Sequence, residues 1–211
     1  MQSQYYLFGT SAILCLLYFI GFFKFGKTYK IFTLYITGVL LIDFTASNLW
    51  KWFKIYNIFT SHFYDLFQFV ILSYFYATLL QTKKQFLTVY ILLILLPIFL
   101  LSRYIFNPQM FFEYSLLETY LTTMPIIIYA TMHLYNNLGQ RTEFYYVNLG
   151  ILLYLFGSTF IFLFYELNSI LDRNNIFYKN ISTINITLQY VKFGFFFYQW
   201  KLIYFNKDGN N

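Results

Sequence analysis

Seven long apolar segments run through the chain, and each is long enough to cross the hydrocarbon core of a bilayer as a helix. The connections between them are short, so no stretch remains for a soluble domain. The segments are predicted at residues 5–23, 31–50, 58–80, 86–102, 115–135, 145–167 and 176–205. Backbone polar groups in a bilayer need partners within their own segment, which favours helices. The sequence therefore predicts an all-α polytopic membrane protein, a single seven-transmembrane-helix bundle over residues 1–211.

Composition agrees with a lipid environment. Only 10% of the residues are charged and 59% are hydrophobic, whereas soluble domains average about a quarter charged. The net charge is +6, but the basic residues lie mainly between the apolar segments, which is typical of membrane topology and not of a nucleic-acid-binding surface. The first segment lacks a basic n-region and a small-residue cleavage site, so we expect it to be a retained helix.

The distribution of lysine and arginine between the connections predicts the orientation. The first set has eight members: Lys24, Lys27, Lys30, Lys83, Lys84, Arg141, Lys201 and Lys207. The opposite set has five: Lys51, Lys54, Arg103, Arg173 and Lys179. This bias predicts an N-terminus outside and a C-terminus in the cytoplasm.

The last segment carries a lysine near its middle. Asn185, Gln189, Lys192 and Gln199 recur at i, i+4, i+7 and i+14, so they form one polar stripe along a helix. A cation at mid-bilayer is costly unless it turns inward and finds a partner. We therefore expect the stripe to face an internal polar site.

Two other segments offer acidic partners for that lysine. Asp43 lies on helix 2, and His62, Asp65 and Gln68 lie at i, i+3 and i+6 on helix 3. At a rise of ~1.5 Å per residue, both aspartates fall roughly 10 Å below the outer boundary. This depth predicts that Lys192 can reach Asp43 or Asp65, which indicates a ligand or ion-pair site between helices 2, 3 and 7.

Such a pair has two interpretations. It could sense a ligand, a proton or a conformational state, or it could be a polar clasp that fixes the order of the helices. Asp65 with His62 one turn away could also relay protons. Glu118 in the first turn of helix 5 and Glu166 at the end of helix 6 could line an outer vestibule, or both could be solvated helix ends.

Small residues on helix 6 predict a close helix contact. Gly150 and Gly157, with Ser158, allow another helix to approach the backbone.

Sequence motifs do not indicate an enzyme. The sequence contains no H-E-x-x-H, no G-x-S-x-G, no phosphate loop and no Cys/His metal spacing. The two histidines lie on different segments. We therefore predict no catalytic residues, no metal and no cofactor.

Four sequence runs carry a resemblance to a known group. They are residues 57–69 on helix 3, Leu117-Glu118-Thr119 on helix 5, residues 148–158 on helix 6 and residues 184–192 on helix 7. With these runs the chain resembles small, uncharacterised seven-helix inner-membrane proteins of Bacteroidota, often encoded beside sensor histidine kinases. The resemblance implies an inner-membrane location and a histidine kinase or another membrane protein as partner. Members of the group often carry Glu where Asp65-x-x-Gln68 stands here.

A second resemblance is to microbial rhodopsins. Seven helices, an external N-terminus and Lys192 followed by Phe193-Gly194-Phe195 are similar to that family. It implies a retinal Schiff base on the lysine, with Asp65 as counter-ion. The Arg/Asp/Thr pattern of helix 3 and the Trp/Pro pattern of helix 6 in that family are missing.

Three functional hypotheses follow from a polar, ionisable interior without a catalytic constellation. The first is an integral membrane sensor or partner-binding subunit in a signalling complex, which includes a protein that only scaffolds a larger assembly. The second is a small transporter or channel that uses the same polar faces. The third is a rhodopsin-like photoreceptor. All three place the protein in contact with the lipid bilayer, and none involves nucleic acid.

Overall fold

The computed structural model of the protein describes residues 2–139, 142–171 and 175–205. Within these ranges the chain is helical and contains no strand. The α-helices are α1 (Gln2–Ile20), α2 (Lys27–Phe53), α3 (Thr60–Leu79), α4 (Lys83–Phe106), α5 (Leu116–Asn136), α6 (Tyr145–Leu171) and α7 (Asn175–Phe205), with a 3-10 helix at Pro108–Phe112. Each apolar segment of the sequence coincides with one α-helix, so the all-α prediction is confirmed for the described residues.

Three stretches of the described helices are long and apolar enough to cross a membrane. They are Lys27–Leu49 in α2, Lys83–Phe106, which is the whole of α4, and Tyr145–Phe164 in α6. These three helices indicate membrane association. Seven spans and their orientation remain predictions.

Some residues used in the sequence analysis lie outside the described part of the chain. Arg141, Arg173 and Lys207 of the charge comparison are outside the described residues, as are the side chains of Glu166 and Lys179.

The chain divides into two compact units. Residues 15–138 form the first, here named the α2–α5 unit, and residues 1–14 with 139–211 form the second, the α6–α7 unit. The single membrane domain remains a prediction.

In the α2–α5 unit, α3 and α5 run parallel to each other. His62 near the start of α3 lies 2.7 Å from Glu118 near the start of α5. Gln81, two residues past the end of α3, donates a hydrogen bond of 3.3 Å to Asn137, which caps the end of α5. Because the two beginnings meet and the two ends meet, residues with the same offset along α3 and α5 lie at similar depth.

Helix α4 runs antiparallel to both. Gln85 at its start and Asn136 at the end of α5 exchange two amide hydrogen bonds of 3.1 and 2.8 Å. Tyr104 near its end lies beside His62 at the start of α3. Helix α3 contacts α2, α4 and α5, so its buried face is the centre of this unit.

Aromatic rings fill the core of the α2–α5 unit. Phe32 of α2 and Phe75 of α3 have ring centroids 5.4 Å apart, and Tyr76 of α3 and Tyr129 of α5 have centroids 6.2 Å apart. Side chains of this size bury a large apolar area, and tilted or edge-on contacts between them add to that stabilisation. The largest fully buried side chains of the unit are Tyr18, Tyr29, Phe32, Phe69, Phe75, Tyr76 and Tyr129.

In the α6–α7 unit the two helices approach closely at two glycines of α6. A Cβ atom on Gly150 would lie 3.0 Å from the Phe195 Cβ and 3.2 Å from the backbone oxygen of Lys192. A Cβ on Gly157 would lie 2.6 Å from the Leu188 Cδ1. The prediction that these glycines allow close helix contact is confirmed.

The close approach at Gly150 predicts how the unit responds to one methyl group. In Gly150→Ala the new methyl group would lie 3.2 Å from the backbone oxygen of Lys192, so α7 must shift by a few tenths of an ångström. We expect a loss of about 1–3 kcal/mol in the free energy of unfolding. Gly194→Ala on α7 is the matched control, since a Cβ there meets nothing within 4 Å and alanine favours a helix. Thermal unfolding in a mild detergent measures both. Equal melting temperatures for the two variants would contradict the packing described here.

Candidate functional site

One face of α3 carries three polar side chains that are buried in the α2–α5 unit. His62, Asp65 and Gln68 have exposed fractions of 4%, 8% and 3%. Their spacing places them one turn apart along the helix. Glu118 of α5, which is 1% exposed, faces the first of them. The described structure therefore encloses one imidazole and two carboxyl groups in the same region.

His62 is the centre of this region. Its Nδ1 lies 2.7 Å from the Glu118 Oε2 and 2.9 Å from the hydroxyl oxygen of Tyr104. The Tyr104 hydroxyl also donates a short hydrogen bond to the same carboxyl oxygen of Glu118. Helices α3, α4 and α5 thus each contribute one side chain to a mutual contact, which we name the His62 cluster: His62, Tyr104 and Glu118.

The other ring nitrogen of His62 reaches the connection between α4 and α5. Its Nε2 lies 3.0 Å from the backbone oxygen of Glu113, which directly follows the 3-10 helix. Phe111 in that 3-10 helix stacks on the imidazole, with ring centroids 5.7 Å apart and an angle of 23° between the planes. The imidazole therefore joins a buried carboxyl group to the backbone of an exposed connection.

These contacts restrict where protons can lie. A backbone carbonyl oxygen only accepts, so Nε2 of His62 must carry a hydrogen. At 2.7 Å, Nδ1 and the Glu118 Oε2 share a second proton, which lies either on the ring or on the carboxyl group. Both arrangements, an imidazolium–carboxylate pair and an imidazole–carboxylic acid pair, keep the same hydrogen bonds.

Asp65 and Gln68 extend the polar region along α3. The Thr119 hydroxyl donates a hydrogen bond of 2.7 Å to the Asp65 Oδ2. The Tyr35 hydroxyl of α2 donates to the Gln68 Oε1 at 3.3 Å. The polar face of α3 is therefore hydrogen-bonded to α5 at Asp65 and, one turn farther along, to α2 at Gln68.

Lys192 lies in the α6–α7 unit and is 4% exposed. Its Nζ is 3.8 Å from the centroid of the Tyr154 ring on α6 and 5.2 Å from that of Phe193. An aromatic face attracts a cation most strongly where water is excluded. Gln199, seven residues after Lys192 in the same polar stripe of α7, also contacts α6. Its Oε1 accepts a hydrogen bond of 2.9 Å from the Tyr146 backbone N–H in the first turn of α6.

The structure places the predicted site residues in three locations. Asp65, His62 and Glu118 lie together, and Gln68 lies one turn farther along α3. Asp43 has an exposed side chain on α2. Lys192, Asn185 and Gln189 belong to α7 in the α6–α7 unit. The predicted pairing of the lysine with Asp43 or Asp65 remains a prediction, as does its alternative role as a clasp between helices.

Several participants were absent from the sequence prediction. Tyr104 is one of 23 tyrosines, and its position gives no signal that it contacts Glu118. Tyr154 is equally unmarked beside Lys192. Thr119 adjoins Glu118 in a run that the sequence analysis noted, and its spacing from the glutamate could have suggested a second polar contact.

The His62 cluster does not offer a metal site. Both ring nitrogens of His62 already face protein atoms. Among the described residues, no group of three or more His, Cys, Asp or Glu side chains could hold a metal ion. The cluster can instead store, share or transfer a proton.

Comparison with known proteins gives no relative from which a function can be carried over. No protein-family model, no curated protein and no solved structure matches the chain.

The contact between His62 and Glu118 predicts a measurable coupling. In a double-mutant cycle of His62→Phe and Glu118→Gln, we expect a coupling of about 1–2 kcal/mol in the free energy of unfolding. His62→Phe removes the imidazole beside the buried Glu118 carboxyl group, and Glu118→Gln replaces that carboxyl group by a neutral amide. The control cycle uses Gln85→Ala and Asn136→Ala, a neutral and only partly buried pair, for which we expect about 0.5 kcal/mol. Additive effects of the His62 and Glu118 changes would show that the two groups do not interact.

Proposed function

We propose that the protein is a multi-pass sensor of the inner membrane that binds a partner membrane protein according to the state of its His62 cluster. In this proposal all seven α-helices span the bilayer, with the N-terminus outside and the C-terminus in the cytoplasm. The signal is a change in the proton content of the cluster, or a small ligand that produces the same change.

One observation carries the proposal. The two nitrogens of one imidazole bind a buried carboxyl group on one side and the Glu113 backbone oxygen on the other. Glu113 is exposed, whereas Glu118 is buried. A change at the buried side must therefore act on the exposed connection through a single rigid ring.

Loss of the shared proton supplies the mechanical step. Without it, Nδ1 and the Glu118 Oε2 are two acceptors 2.7 Å apart, and the single hydroxyl hydrogen of Tyr104 cannot satisfy both fully. The two acceptors then repel each other. Rotation of the ring relieves this repulsion, and the same rotation breaks the hydrogen bond from Nε2 to Glu113.

The connection that would respond has a surface suited to a partner. Phe106, Phe112 and Tyr114 are exposed by 88%, 69% and 50%. Tyrosine at the end of a membrane helix prefers the lipid–water interface, and both tyrosine and phenylalanine are enriched in contacts between proteins. The resemblance to proteins encoded beside sensor histidine kinases supports a membrane signalling protein as that partner.

Hydrogen–deuterium exchange tests the link between cluster and connection. The amides of Met110 and Glu113 donate within the connection, to Asn107 and Met110. We expect His62→Phe to accelerate exchange at both amides, because the ring that holds the Glu113 backbone loses its donor. Gln85→Ala, which breaks hydrogen bonds at the opposite end of α4, should leave these amides unchanged. Unchanged exchange in His62→Phe would contradict the proposed coupling.

Crosslinking in cells tests the partner. A photoreactive residue at Phe112 should capture a defined membrane protein. The yield should fall when Glu118→Gln is added, because the cluster then lacks the carboxyl group that shares a proton with His62. A photoreactive residue at Ile98, on the exposed side of α4, serves as the control for random contacts. Equal crosslinking with and without Glu118→Gln would exclude a partner that reads the cluster.

A second candidate function is a small transporter or channel. The observation that favours it is that further polar residues of α3 and α5 are buried beyond the His62 cluster, namely Ser73, Thr122, Thr123 and His133. These residues belong to the α2–α5 unit, whereas the route predicted from the sequence used the polar faces of helices 2, 3 and 7.

A further inference from the structure

Three buried polar atoms on α3 and α5 have no hydrogen-bond partner among the described residues. They are the Oγ of Ser73, the hydroxyl oxygen of Tyr129 and the Nδ1 of His133. The exposed fractions of these residues are 0%, 0% and 1%. Buried polar atoms are nearly always paired, with protein or with ordered water, since an unpaired one costs free energy.

All three atoms belong to the same pair of helices. Ser73 is on α3, and Tyr129 and His133 are on α5. The two helices run parallel and in contact, and the rings of Tyr76 and Tyr129 meet at this level. Ser73 is one turn before Tyr76, so the three atoms lie along one part of the α3–α5 contact.

The same contact begins at the His62 cluster. Between the cluster and Ser73 lie Thr122 and Thr123 of α5, with exposed fractions of 0% and 4%. From Glu118 to His133 the distance along α5 is roughly 22 Å at ~1.5 Å per residue. A hydrocarbon core is about 30 Å thick, so the buried polar groups of α5 are spread over a length equal to most of a membrane crossing.

We propose that ordered water molecules bind to Ser73, Tyr129 and His133 and complete a proton path between α3 and α5, from the His62 cluster to His133. Water, hydroxyl groups and imidazole can each accept one proton and release another. When the Nδ1 of His133 accepts a proton, the ring becomes cationic, and loss of the proton from its Nε2 restores a neutral ring. One proton enters and one leaves, and no electron moves.

The path goes beyond the sensor function and does not depend on a partner. The sensor needs only the contact from Glu118 through His62 to Glu113. The path also needs Ser73, Tyr129 and His133, which lie farther along the α3–α5 contact. Exchange and crosslinking at the connection therefore test the first, and the following measurements test the second.

Radiolytic hydroxyl labelling with isotope-labelled water tests for bound water. The purified protein is exposed to a brief X-ray pulse, and modification is read by mass spectrometry. We expect Tyr129 to be labelled faster than Tyr18, a tyrosine of the same unit that is also 0% exposed. Labelling of Tyr129 at or below the rate of Tyr18 would overturn the proposal.

Proton flux into liposomes tests the path. With a potassium gradient and valinomycin, the wild-type protein should acidify the lumen faster than empty liposomes. Tyr129→Phe and Ser73→Ala each remove only an unpartnered hydroxyl group, so we expect folded protein by circular dichroism and a loss of the flux. Tyr74→Phe removes a hydroxyl from the exposed side of α3 and should keep it. Wild-type flux equal to that of empty liposomes, or flux retained in both Tyr129→Phe and Ser73→Ala, would overturn the path.

Discussion

The α2–α5 unit depends on the way one imidazole is held in an apolar interior. His62 has a buried carboxyl group on one nitrogen and a backbone oxygen on the other. An unpaired ring nitrogen in such a site costs free energy, because the nitrogen that loses its partner has no water to replace it. The constraint ties the beginnings of α3 and α5, the end of α4 and the connection between them. The parallel alignment of α3 and α5 agrees with it.

The α6–α7 unit meets a similar requirement by another route. Lys192 approaches the face of Tyr154, and the two helices come close enough because Gly150 has no side chain. A Cβ atom at position 150 would lie 3.2 Å from the backbone oxygen of Lys192. The glycine and the lysine are therefore parts of one local arrangement, in which tight backbone packing places a cation beside an aromatic ring.

The sequence predicted the helices well because their signal is local. Apolar runs of spanning length and short polar connections mark each helix, and the spacing of His62, Asp65 and Gln68 places them on one face whatever surrounds them. The contact from Glu118 to His62 joins positions 56 residues apart, and nothing in either segment indicates that α3 and α5 are neighbours. A carboxylate in a first helical turn is equally suited to solvent, so Glu118 was interpreted as a possible vestibule residue or a solvated helix end. The structure buries it instead.

His133 illustrates the same limit at the other end of α5. Its place near the end of a predicted span is compatible with solvent, yet it is 1% exposed. Burial depends on which helices surround a side chain, and composition alone does not reveal that. The aromatic partners Tyr104 and Tyr154 were hidden for a further reason, since tyrosine is abundant throughout this chain.

Nitrogen NMR of the histidine side chains tests the central claim most directly. With ¹⁵N-labelled histidine and the His133→Phe variant for assignment, the account predicts that the Nε2 of His62 carries a hydrogen and that its Nδ1 shares a proton with a carboxyl group. Glu118→Gln should shift the Nδ1 resonance strongly. A His62 ring with an unprotonated Nε2, or with an Nδ1 that does not respond to Glu118→Gln, would contradict the account.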